Sequence, residues 1–258
     1  SHSIVSGLGS LGGLVGYSER GQIDLCYSLG SISGQRTIGG LCGNNGANVS
    51  SCYSAVDVTG TGESTGGLIG YNHGSVIACK ATGNVQGVDF VGGLVAENIG
   101  VITHCYAQGS VHGNSFVYGL GSGQILYSYS TGLVSGSENV SGFAIGGSTY
   151  LCYWDTETSQ VSESVTGKGK TTAQIQSASA YRGWGYGGHW VIDNGNEYPR
   201  LIWENTPGEL LVDRPRSYDG GTGEPNNPYK IHTAQQFASI AYYPEDFDKN
   251  FILTNNID

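Results

Sequence analysis

Methionine is missing from the 258 residues, and charge of either sign is scarce: Asp, Glu, Lys and Arg together make up 12%. So low a charge content excludes a coiled coil and a disordered polyelectrolyte. The few charges are also unbalanced, with 11 Lys and Arg against 21 Asp and Glu and a net charge of -10. Phosphate backbones are bound by basic patches, so nucleic acid is not an expected partner. Apolar runs stop after four or five residues, far short of the ~20 that cross a membrane as a helix. No membrane insertion is expected within this segment. Proline numbers only 6 and no Gly-X-Y period occurs, which excludes collagen. With no Met even at position 1, the chain is expected to be a segment of a longer gene product, and its lack of a leader carries no information.

What is abundant is glycine, 44 residues, 33 of them before position 151. They are periodic. Gly12-Gly13-Leu14-Val15-Gly16 returns as Gly39-Gly40-Leu41-Cys42-Gly43, Gly66-Gly67-Leu68-Ile69-Gly70 and Gly92-Gly93-Leu94-Val95-Ala96, at spacings of 27, 27 and 26. A second element, Gly-x-Ile-x-x-Cys-Tyr, runs in phase with it, with Cys26, Cys52, Cys79 and Cys105 spaced 26, 27 and 26; Ser128 then takes the slot and Cys152 closes the series. Gly costs a helix about 1 kcal/mol per residue against Ala, so a helical repeat is excluded. After each Cys the small and apolar residues alternate instead, as in Cys105, Ala107, Gly109, Val111, the pattern of a half-buried strand. Ile102 and Cys105 lie an odd number of residues apart, so both face inward only if the chain turns a corner between them. The expected fold is therefore all-β: a parallel β-solenoid of about five to six coils, one repeat of roughly 26 residues per coil, with like residues stacked at ~4.8 Å.

GGLVG followed by Gly-x-Ile-x-x-Cys-Tyr-Ala-x-Gly-x-Val resembles the GLUG-motif repeat over about residues 4–150. That family occurs in bacterial surface adhesins and large secreted repeat proteins. The resemblance implies an extracellular solenoid and no enzymatic activity. The solenoid is expected over residues 1–151. All four Trp follow it, and residues 152–204 are expected to form an aromatic C-terminal cap, because an open solenoid end must be covered. Within it, Thr171-x-x-Gln174 predicts a short helix near 172–180, and Asn194-Gly195 predicts a hairpin between Trp190 and Trp203. Residues 205–219 read as a linker. Residues 220–258 read as a small α+β segment, with a helix at about 234–242 behind Thr233-x-x-Gln236 and a strand at 251–257. This segment resembles the opening of a following solenoid. It could serve that solenoid or a neighbouring subunit, for which Phe251, Ile252, Leu253 and Ile257 would be the docking strand.

Several residues invite chemistry. The inward ladder Cys26, Cys52, Cys79, Cys105 and Cys152 has a Cα spacing that permits disulfides between coils, but Ser128 in the same slot and the Ala-sized neighbours at offset two favour a column of small buried thiols. No short Cys pair suggests zinc, and no metal or cofactor is expected. Tyr27, Tyr53, Tyr106, Tyr129 and Tyr153 form an outward aromatic stripe that suits stacking on sugar rings or lateral contact. Val15, Cys42, Ile69 and Val95 read as a second outward row. Only seven acids lie before residue 151, with no two in one slot on neighbouring coils, so a polysaccharide-cleaving enzyme, which needs paired carboxylates, is a remote alternative. Asp246-x-Asp248-x-Asn250 lacks the Gly and Glu of a calcium loop and reads as a polar turn. Asn48 and Asn139 open glycosylation sequons. The leading expectation is a non-enzymatic extracellular structural or adhesive module at the cell surface. Its expected partners are copies of itself or adjacent domains head to tail, together with glycans or host and matrix surfaces. The alternative is a carbohydrate-binding module.

Overall fold

The computed structural model describes residues 3–212, 218–240 and 246–257. It divides into two compact units, 1–175 and 176–258.

The first unit is a parallel β-solenoid. One coil shows how it is built: Tyr53–Gly60, then Thr65–Gly66, Ile69–Asn72 and Ser75–Ile77, after which Lys80–Ala81 returns beneath Tyr53 and Ser54. Each strand stacks on its equivalents from neighbouring coils, always in parallel. The ladder through Thr65–Gly66 holds six strands, and so does the ladder through Ser75–Ile77. Register follows the glycine and cysteine slots: Gly66 lies opposite Gly39 and Gly92, and Ile69 opposite Cys42 and Val95.

The alternation expected after the Cys slot is present, since Ser54, Val56 and Val58 are buried while Asp57 and Thr59 are exposed. Two apolar columns fill the coils. One is Leu41, Leu68, Leu94 and Leu120 with the cysteines and Val49, Val76, Ile102 and Ile125. The other is Ile32, Val58, Val85, Val111 and Val134 against Ile38, Val91 and Val117.

The row Val15, Cys42, Ile69, Val95 does not face outward. Cys42, Ile69 and Val95 are fully buried in the first column. The reason is a corner placed between each of them and the preceding Leu. Leu68 N and Ile69 N both donate to Leu94 O, and Leu94 N and Val95 N both donate to Leu120 O. Two consecutive residues therefore point inward, which no straight strand allows.

The last coil is closed within this unit. Trp154 packs into the first column, under Gly142, where a β-carbon would collide with its indole. Ser164 Oγ accepts from Phe143 N and Ala144 N at 3.1 and 3.3 Å, and Lys168–Lys170 pairs with Tyr153–Asp155. Buried Asp155 caps the short helix Thr156–Ser159, accepting from Glu157 N and Thr158 N, and it also accepts from Thr172 Oγ1.

In the second unit, Trp190–Ile192 pairs antiparallel with Arg200–Leu201, as the expected hairpin requires. Glu209–Leu210, expected in a linker, adds a third strand to it. Leu211 supplies the driving force, being buried and donating its amide to Trp190 O. Trp184 and Trp190 are fully buried, with ring centroids 4.8 Å apart. Further on, Tyr229–Ile231 pairs in parallel with Phe251–Leu253. Between them Thr233 and Gln236 form a capping box at the helix Ala234–Ser239. The strand is shorter than expected: it ends at Leu253, with Thr254 N making the last ladder bond to Ile231 O, because its partner strand gives way after Ile231 to the helix capped by Thr233. Of the expected helix end, residues 241 and 242 lie outside the described residues.

Candidate functional site

The residue before each Cys slot makes the corner that the Ile-to-Cys spacing demands. Leu25, Ser51, Ala78, His104, Tyr127 and Leu151 all have positive φ, between 48° and 54°. This left-handed conformation is unfavourable for residues with a β-carbon, so it must be held by its surroundings. The Cys side chains hold it. Cys52 Sγ donates to Ser50 O at 3.0 Å, Cys79 Sγ to Ile77 O at 3.2 Å and Cys105 Sγ to Thr103 O at 3.2 Å. Each thiol also accepts from the coil before it: Cys26 N donates to Cys52 Sγ, Cys52 N to Cys79 Sγ and Cys79 N to Cys105 Sγ, at 3.3–3.4 Å. Ser128 does the same with oxygen, accepting from Cys105 N at 3.0 Å and donating to Leu126 O at 2.7 Å. All six cysteines are free thiols. Burial pushes Cys42 and Cys152 up to about 12 and holds Cys79 well above its ordinary value. Cys52 is raised first by its hydrogen bond to Cys79 and then by burial, and half-buried Cys26 is raised by burial.

A second polar ladder carries no signal in the apolar pattern. Asn45 Nδ2 donates to Asn72 Oδ1 at 2.8 Å, and Asn72 Nδ2 to Asn98 Oδ1 at 2.7 Å. Each also ties down the backbone oxygen two residues on, at Ala47, Gly74 and Gly100. All three Asn are buried. Their spacings of 27 and 26, identical to those of the cysteines, were the available clue.

The aromatic stripe is only partly a surface. Tyr27 is 55% exposed and Tyr53 half-buried, stacked at 5.1 Å with Lys80 Nζ 5.4 Å from the Tyr53 centroid. Tyr106 and Tyr129 are fully buried and Tyr153 nearly so, which corrects the expectation of an outward stripe broken only by Lys80. Stacking encloses these rings: Tyr106 lies 5.1 Å from Tyr129 on one side, with Lys80 Nζ 5.8 Å from its centroid on the other. Lys170 Nζ lies 4.8 Å from the Tyr153 centroid, and burial pushes that phenol up to about 12.

Asn48 and Asn139 are both exposed. Phe251, Ile252 and Leu253 lie in the short parallel pair, and Ile257 follows it outside any strand. Asp246 is buried and accepts from Tyr218 Oη, while Asn250 Nδ2 donates to Gly223 O. Among the described residues no group of three His, Cys, Asp or Glu side chains is placed to hold a metal ion. No helix among them is long and apolar enough to cross a membrane.

The fold and its ladders define a parallel β-solenoid repeat module. Residues 61–86, the length of one coil, match the family model of the GLUG motif, so the chain carries a GLUG repeat, in phase with the glycine and cysteine slots around it. No curated protein and no solved structure matches the chain.

Proposed function

We propose that this chain is a non-enzymatic structural or adhesive module of an extracellular repeat protein. The observation that carries the reading is where the repeated polar side chains are spent. The cysteines from Cys26 to Cys105 and the asparagines from Asn45 to Asn98 bond one coil to the next inside the stack, and no two acids before residue 151 share a slot on neighbouring coils. Such a coil is satisfied by its neighbours, which suits a stiff acidic rod. The test pairs surface proteolysis of intact cells making the parent protein with incubation of the chain on a polysaccharide panel. Removal of the segment by external protease and no new reducing ends support the reading. Release of reducing ends would overturn it.

A carbohydrate-binding reading is favoured by one observation, the exposed Tyr27 stacked beside Tyr53 and Lys80. It predicts millimolar or tighter binding to an oligosaccharide that is lost in Tyr27→Ala, read by calorimetry.

A further inference from the structure

Two oxidisable rings are held in register on neighbouring coils. Tyr27 lies opposite Tyr53 in the parallel ladder, with ring centroids 5.1 Å apart and ring planes 8° from parallel. In-register pairing sets like atoms of the two rings one above the other, so the ortho carbon beside each hydroxyl faces its counterpart. Lys80 takes the next slot, opposite Tyr53, and ends this run of ring on ring. Tyr53 is half-buried even though Tyr27 covers one ring face and Lys80 Nζ lies 5.4 Å from its centroid on the other side. What it shows to solvent is therefore its edge, which carries the hydroxyl and the ortho carbons.

Two other tyrosine pairs each lack one of these properties. Tyr106 and Tyr129 stack in the same way, at 5.1 Å and 7°, but both are fully buried. Tyr127 and Tyr150 reach the surface, with Tyr150 57% exposed, but they meet at 5.6 Å and 90°, so an edge points at a face and like carbons do not meet. Competition for an oxidant is also small. The chain has no methionine and every cysteine except Cys26 is buried, and these are the side chains that oxidants commonly take first.

We propose that Tyr27 and Tyr53 are an oxidative cross-linking site, joined as a dityrosine by a haem peroxidase with hydrogen peroxide as the oxidant. Each phenol gives up one electron and one proton, and the two radicals couple through their ortho carbons into one carbon–carbon bond. The hydrogen on each coupling carbon then moves to the phenolic oxygen and restores the ring. The chain loses two hydrogens in all, and the peroxide is reduced to two waters. All six cysteines are free thiols, so this bond supplies a covalent tie between coils. It closes a loop of one coil and restricts the unfolded chain.

Peroxidase treatment of the folded 258-residue chain, followed by tryptic digestion and mass spectrometry, tests this. Trypsin cuts after Arg20, Arg36, Lys80 and Lys168, so Tyr27 is the one tyrosine of fragment 21–36, Tyr53 lies in 37–80, and both comparison pairs lie in 81–168. Fragments 21–36 and 37–80 are expected to appear joined and two hydrogens lighter than their sum, with a yield that does not change with chain concentration. Tyr27→Phe and Tyr53→Phe, which keep the ring and its packing, are each expected to lose the joined product, and Tyr106→Phe to keep it; circular dichroism checks that all three are folded. Absence of the joined product would overturn the proposal. So would a yield that rises with concentration, which marks a link between copies, or a product that survives Tyr53→Phe and so runs through Tyr71. Coupling within 81–168 as efficient as that between 21–36 and 37–80 would also overturn it, because stacking and access together would then select nothing.

Discussion

From Cys52 on, each cysteine of the ladder is a hydrogen-bonding residue that happens to be buried. Cys79 Sγ accepts from Cys52 N and donates to Ile77 O, closing the left-handed corner at Ala78. Removing one partner from a buried pair leaves the other unsatisfied, at about 1–3 kcal/mol. Cys79→Ala is therefore expected to destabilise the chain by about 2 kcal/mol in urea titration. Cys79→Ser is expected to lose less than Cys79→Ala, since Ser128 already fills the slot with the same bonds. Equal losses would reduce the slot to simple packing. The same burial sets a pH dependence. Cys42 and Cys152 are raised from 9.0 to about 12 in the folded chain. Below the unfolded value both states hold the proton and the stabilisation is fully present. Above it the unfolded thiols ionise first, so stability is lost as pH rises from about 9 towards 12. The urea midpoint under reducing conditions is expected to fall over pH 9–10.5, with a shallower fall in Cys42→Ser. A flat profile would contradict the buried-thiol assignment.

Among the elements, the corners and ladders carry the specificity, and they differ in how far the sequence reveals them. The asparagine ladder is buried, so Asn72→Ala strands the Asn45 amide, the Asn98 carbonyl oxygen and the Gly74 carbonyl together; a loss of about 2–4 kcal/mol is expected. Asn84, which accepts from Ser110 on an exposed face, is the control, and Asn84→Ala is expected to cost under about 1 kcal/mol because water replaces the lost bonds. The double-glycine corner is set by close backbone approach. A β-carbon on Gly67 would fall inside contact distance of the Gly93 carbonyl oxygen, whereas one on Gly9 would meet nothing. Gly67→Ala is expected to lower the thermal midpoint by several degrees and Gly9→Ala to leave it unchanged.

The coil period was legible because Gly and Cys slots repeat at fixed spacing, and the strand after Cys was legible because period two survives there. The inward row through Cys42 and Ile69 was not, because parity counting assumes a straight strand and the corner after Leu68 resets it. The Asn ladder shared the period, but polar residues enter no hydrophobic pattern. The Tyr stripe was assigned the correct side of its strand, yet burial of Tyr106 depends on what stacks on its two ring faces, which alternation does not encode.

At the scale of the whole molecule, a stack whose coils touch only their neighbours loses protection from its ends inward. The stack in residues 1–175 is asymmetric in this respect. Its last coil is closed by Trp154, Ser164 and the strand Lys168–Lys170, while Ile4, Leu8 and Leu14 at the other end are 87%, 68% and 51% exposed. Coils between residues 68 and 107 have both faces covered, with Leu68, Val76, Cys79, Leu94, Ile102 and Cys105 fully buried. Hydrogen exchange at dilute concentration is therefore expected to show a gradient, fastest over Ser3–Gly7, slowest between 68 and 107, with residues 125–155 closer to the centre than to the first rung. Uniform protection from Ser3 to Asp155 would mean that the stack opens as one unit.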